Sequence, residues 1–236
     1  KPERAPPRDF IREMLIGPPE GEWPEPLPTL TWWEDFEAGR NAALQQERPL
    51  FVLVRCPVST NSGTVDDLLL APCPELSALL RNFITVEITD AQKIDLNRMP
   101  LTRYNIGVHQ DCDHTWWCWI LSPDCQVYST LGKVEPTSPD LSEQELMEWM
   151  TAVLNHHWDP RRKDWNFDGD VIPRSTPTQF ITQSPGYQKW KEGAAYLGNL
   201  KENGNCMCCH QVCDALWYEE DLNGQFAPGQ DYREWI

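Results

Sequence analysis

Long apolar runs are missing from this sequence. Clean apolar stretches such as Leu50–Val54 are far short of the roughly 20 residues a bilayer-crossing helix needs, so no membrane span is expected. Basic residues are scarce as well: Lys and Arg number 20 against 36 Asp and Glu, for a formal net charge of -16. Nucleic acid is excluded as a partner on that ground, because its phosphates attract cations rather than carboxylates. A protein with a basic contact surface fits the acidic chain, and solubility is the other use of the charge. The first residue is Lys1 rather than methionine, and no signal-peptide pattern follows it. That start fits a processed mature protein.

What the chain has in quantity is proline (21), tryptophan (12) and cysteine (9). Proline removes a backbone donor and tryptophan covers much area, which together predict long irregular stretches pinned by aromatic burial. Nine cysteines in a chain of 236 residues point to export, or to a metal or cofactor. The count is odd, so disulfides cannot use all of them.

Residues 1–30 carry prolines at positions 2, 6, 7, 18, 19, 24, 26 and 28, which forbids regular helix beyond a short Asp9–Ile16 piece and predicts an extended arm over a surface. Residues 31–158 read as an α/β domain. Thr31 is a candidate cap for a helix with Trp32, Trp33, Phe36, Ala43 and Leu44 near a 3.6 period, ending by Arg48 before Pro49. Leu50–Arg55 reads as a buried strand, Leu68–Leu80 as a helix in two pieces broken by Pro72 and Pro74, and Phe83–Ile88 as a second strand. Trp116–Leu121 and Gln126–Thr130 flank Ser122-Pro123-Asp124-Cys125 and predict a hairpin. Ser142 and Glu145 form a capping-box pattern that opens a helix with Leu146, Trp149, Met150, Val153 and Leu154 on one face.

Pro49-Leu50-Phe51-Val52-Leu53-Val54, then Asn82–Thr89, then Trp117-Cys118-Trp119-Ile120-Leu121-Ser122-Pro123-Asp124 with Val127-Tyr128 and Gly132, resemble the central strand, the following strand and the terminal hairpin of a thioredoxin. The likeness spans about residues 31–157 and implies a thioredoxin-like sheet with flanking helices. A thioredoxin oxidoreductase carries Cys-x-x-Cys where the strand meets the helix, which lowers the first thiol's pKa. Here that junction reads Cys56-Pro57-Val58-Ser59, and no proline stands just before Thr115-Trp116. Thiol-disulfide oxidoreductase activity is therefore not expected. Cys56 with Cys73, and Cys112 with Cys125, are guesses at disulfides that spacing cannot settle.

Near the carboxyl end, Cys206-Met207-Cys208-Cys209-His210 contains C-x-x-C-H, the spacing at which two thiols reach the vinyl groups of one haem c while the next imidazole becomes an axial iron ligand. Cys206 and Cys209 are the candidate covalent attachments and His210 the candidate iron ligand. Tyr187–Leu200 has helical spacing and leads into this motif, so 185–236 reads as a small, mostly helical haem-binding segment. A degenerate thioredoxin-like domain followed by such a motif resembles, in outline, a group of exported bacterial proteins, which implies a periplasmic or extracellular location. Two other readings stay open for the cluster of Cys206, Cys208, Cys209, His210 and Cys213: a zinc site, and plain disulfides. Candidates for the sixth iron position are His109, His114, His156 and His157 and the methionines Met14, Met99, Met147 and Met150. For His156-His157, charge against a helix dipole is the competing explanation.

Residues 159–184 read as a linker. Within it, Asp164, Asn166, Asp168 and Asp170, with Gly169, match the first half of a calcium-binding EF-hand loop, whereas Ser175 and Pro173 break the second half. An Asx-rich turn is the alternative. The sequence as a whole predicts an exported haem protein that transfers electrons or serves as an accessory redox subunit, docking to a protein redox partner or a larger assembly. The rival expectation is a redox-inert structural subunit whose cysteines form disulfides or hold zinc.

Overall fold

The computed structural model describes residues 20–55, 66–99, 116–132, 142–162 and 179–196, together with 212 and 215. In chain order the elements are β1 (Trp32–Trp33), α1 (Phe36–Gln46), β2 (Leu50–Arg55), a π-helical turn (Asp66–Leu70), α2 (Pro74–Leu80), β3 (Ile84–Ile88), a 3-10 turn (Ala91–Lys93), β4 (Trp116–Leu121), β5 (Val127–Gly132), α3 (Glu143–Trp158), a second 3-10 turn (Ile181–Gln183) and α4 (Pro185–Tyr196).

The strands form one five-stranded mixed sheet in the order β1-β3-β2-β4-β5. β1 and β2 run parallel to β3, whereas β4 is antiparallel to both β2 and β5. β2 is central and buried on both sides, which explains its continuous apolar sequence. Successive side chains alternate between faces. Leu50, Val52 and Val54 join one core with Ile84, Val86, Trp117, Trp119 and Leu121, covered by Ala42 and Ala43 of α1. Phe51 and Leu53 join the other with Cys118 and Ile120, covered by Leu76 and Leu80 of α2 and by Leu146, Met150 and Leu154 of α3.

The two-piece helix and the hairpin stand as the sequence predicts. So does the capping box, in which Ser142 accepts from the Glu145 backbone and Glu145 reaches back to the Ser142 backbone. The start of the first helix is a correction. Trp32–Trp33 pairs with Thr85–Val86 as an edge strand, and the Thr85 hydroxyl donates to the Thr31 carbonyl at 2.7 Å. Asp35, rather than Thr31, caps α1 by accepting from the Ala38 N–H at 2.7 Å. Leu44 consequently points to solvent, 43% exposed.

The stretch from Glu20 to Thr31 lies along the body of the protein. Trp23 Nε1 donates to Asn155 Oδ1 at 3.1 Å, and the Leu27 N–H donates to the Arg81 carbonyl at 2.9 Å. A Cβ on Gly21 would stand 2.0 Å from the Trp158 carbonyl oxygen, so only glycine permits that approach. No helix among the described residues is long and apolar enough to cross a membrane.

Candidate functional site

The face of the sheet that carries Val52, Trp117 and Trp119 also receives residues from the far carboxyl end. Val212 is 0% and Ala215 2% exposed, both have helical backbone, and both belong to the same core as Ile94, Leu96, Met99 and Ile181. Residues three apart on a helix share a face, so this pair forms the inward side of a docked turn. α4 meets it closely: a Cβ on Gly186 would fall 1.7 Å from the Ala215 carbonyl oxygen.

Three long-range hydrogen bonds fasten the loop after β3 to Gln179, ahead of α4, and to Tyr187 in its first turn. The Leu96 N–H donates to the Gln179 carbonyl at 2.8 Å, Gln179 Nε2 donates to Asp95 Oδ2 at 3.0 Å, and the Tyr187 hydroxyl donates to Gln92 Oε1 at 2.7 Å. Residues 179–184, at the end of the stretch that reads as linker, are thereby built into the domain, with Ile181 in its core. On the same face the indole N–H groups of Trp117 and Trp119 are buried and find no acceptor among the described residues.

The predicted haem attachments Cys206 and Cys209, the ligand His210, and Cys208 and Cys213 all lie outside the described residues, as do Asp164, Asn166, Asp168 and Asp170 of the calcium pattern. Cys56, Cys112, His109, His114 and Met14 lie outside them too. Among the described residues, no three His, Cys, Asp or Glu side chains converge on a metal position.

The structure places the remaining candidates for the sixth iron position in different settings. His157 Nε2 faces the Glu47 carbonyl at 2.8 Å, where only a protonated nitrogen is satisfied. Its Nδ1 is contacted by the Tyr128 hydroxyl at 2.9 Å and by Arg162 Nη1 at 2.7 Å. With both nitrogens engaged, His157 ties the end of α3 to the C-cap of α1, where Glu47 adopts a left-handed φ of 53°. His156 is buried with its ring against Tyr128, centroids 5.2 Å apart. Met147 and Met150 pack in the core on the α2/α3 side of the sheet. Met99 alone among these is on the side that holds Val212.

A cavity of about 550 Å³ opens beside His157, bordered by Glu47, Asp124, Trp158 and Arg162. Its walls come from the end of α1, the β4–β5 turn and the end of α3, and the sequence singles out only His157 among them. At the carboxyl end of β2, Arg55 is held by Glu87 at 2.6 Å and Asp66 at 3.2 Å, so the residue before Cys56 is neutralised by two carboxylates.

Cys73 and Cys125 stand as free thiols, and the partners guessed for them, Cys56 and Cys112, lie outside the described residues. Cys73 caps α2, accepting from the Leu76 N–H at 3.3 Å. Its thiol donates to Glu143, and that carboxylate pushes the thiol pKa up. Burial raises the Cys125 pKa, against the pull of Arg98 and Arg40. Neither cysteine is an activated thiolate.

These features define a mixed α/β protein whose sheet is sealed on one side by residues from near its carboxyl end. No family model and no curated protein matches the chain.

Proposed function

We propose that this chain is an exported c-type haem protein, acting in electron transfer or as an accessory redox subunit on a thioredoxin-like scaffold without the catalytic dithiol. The sheet order β1-β3-β2-β4-β5, with β4 antiparallel, supports the scaffold part of the reading. The observation that carries the rest is the burial of Val212. In the sequence, Val212 follows the C-x-x-C-H pattern by two positions.

The donor set fits the group. Two thiols at C-x-x-C form thioethers, and the histidine that follows supplies an imidazole to iron. The unpartnered indole N–H groups of Trp117 and Trp119 on the same face suit the carboxylates such a macrocycle carries. When bound, the haem supplies one-electron exchange. Cys206 and Cys209 would anchor the group and His210 would ligate its iron, with the buried Val212, Ala215 and Ile181 as the nearby apolar cover. Asp164, Asn166, Asp168 and Asp170 offer a calcium position in the preceding segment. The acidic surface selects a protein partner with a basic contact patch.

The test is production in a bacterium with an active c-type maturation pathway, followed by intact-mass measurement after acid denaturation and a pyridine haemochrome spectrum. The expected result is a gain of one haem mass that survives acid, lost in the Cys206→Ser, Cys209→Ser double variant. Colourless protein, with these sulfurs joined to one another or to zinc, overturns the proposal and leaves the structural-subunit reading.

A further inference from the structure

The cavity of about 550 Å³ beside His157 shares no lining residue with the core that Val212 completes. Two helices end on it. α1 contributes Leu44 and its C-cap Glu47, α3 its last residue Trp158 and its C-cap Asp159, and the β4–β5 turn contributes Asp124. A helix C-terminus carries the negative end of the helix dipole and is stabilised by cations. Here both caps are carboxylates, and the last turn of α1 holds no basic residue.

Asp159 is answered by Arg161 at 2.8 Å. Glu47 is not: neither its carboxylate nor that of Asp124 forms an ion pair among the described residues, although Asp124 accepts from the Ser122 hydroxyl at 2.5 Å. Glu47 also has a φ of 53°, a left-handed conformation that glycine usually supplies at a helix end. Its backbone and its charge thus both work against stability, the pattern expected of a residue that binds something. Arg162 is the cation of the lining, and it is engaged with the protein. Its Nη1 lies 2.7 Å from His157 Nδ1 and 3.1 Å from the His157 carbonyl oxygen, and its guanidinium stands 5.7 Å from the centre of the Tyr128 ring. Two uncompensated carboxylates and two negative helix ends therefore outweigh one committed guanidinium. Trp158 and the exposed Leu44 supply apolar surface for an alkyl stem, and an aromatic face attracts a cation.

We propose that this cavity receives a lysine or arginine side chain of a protein partner, its charge toward Glu47 and Asp124 and its stem against Leu44 and Trp158. The inference rests on the basic partner of the reading above and gives that contact a place. Covalent haem is scored by mass and this contact by binding, so either can fail without the other. The test titrates the isotope-labelled full chain with acetyl-arginine amide, acetyl-lysine amide and the uncharged isostere acetyl-citrulline amide, followed at the Trp158 indole N–H resonance, which is assigned by its loss in Trp158→Phe. Both basic probes are expected to give a saturable shift and citrulline none. The Glu47→Gln, Asp124→Asn double variant weakens the basic probes about tenfold, while Glu34→Gln, outside the cavity, binds as the parent does. Both substitutions keep size and hydrogen-bonding capacity at the surface, and Glu47→Gln alone, with its own urea midpoint, serves if the double variant fails to fold. Absence of a saturable shift with either basic probe, equal binding of citrulline, or undiminished binding by the folded carboxylate variants overturns the proposal.

Discussion

Asp159 is a fully buried carboxylate held by four donors. Arg161 contributes Nη2 at 2.8 Å, Nε at 3.0 Å and its own backbone N–H at 2.9 Å, and the Glu20 N–H adds a fourth at 3.3 Å. Hydrogen bonding from the Arg161 side chain, against the opposing effect of burial, holds this carboxyl far below the usual carboxylate range. An unfolded aspartate titrates near about 3.9. Because the folded value is the lower one, Asp159 stabilises the fold above about pH 4, and that contribution disappears as pH falls below it. Urea midpoints measured from pH 7 down to pH 2 are expected to fall less steeply for Asp159→Asn than for the parent, with the variant less stable at neutral pH. Parallel curves of equal height refute the assignment. The sequence shows only Asp159-Pro160-Arg161; the involvement of Glu20, 139 positions away, becomes apparent in the fold.

At the scale of the element, legibility follows how local the determinants are. β2 and β3 are readable because a short run of branched apolar residues between breakers has few alternatives to a buried strand. α3 is readable because its capping box lies within four consecutive residues. β1 is not, since two residues carry no period, and Thr31 and Asp35 are both chemically able to cap a helix. The choice is made by Thr85 on β3, whose hydroxyl takes the Thr31 carbonyl into the sheet edge. Contact between α4 and the carboxyl-terminal turn depends likewise on a pair distant in sequence. Gly186→Ala places a methyl group 1.7 Å from the Ala215 oxygen, and backbone cannot yield as a flexible side chain does. The variant is expected to lose about 1–3 kcal/mol, read as a lower urea midpoint. An unchanged midpoint would show that α4 and the turn are not packed together in solution.

In the whole molecule, the two sides of the sheet are completed by different parts of the chain. The α2/α3 side is built from residues within 51–154, with partly buried neighbours from 23–32 and Trp158, whereas the other side also takes Ile181, Val212 and Ala215. Val212→Asp puts an unpaired charge into that core and is expected to destabilise by about 3 kcal/mol or more. The near-ultraviolet signal of the tryptophans should melt together with the backbone signal in one transition at lower urea. If the variant melts as the parent does, the carboxyl-terminal residues are not part of the cooperative unit. The C-x-x-C-H pattern is visible in the sequence because it lies in five consecutive residues, 206–210.

That unequal completion sets an order of events during synthesis. A ribosome delivers the chain from the amino end at roughly 5–20 residues per second, so the strands are all available well before residue 212 exists. Until then Trp117 and Trp119 lack part of their final cover, and the growing polypeptide carries a sticky apolar face that a chaperone would recognise. Val212 and Ala215, which complete this face, are among the last residues to be made.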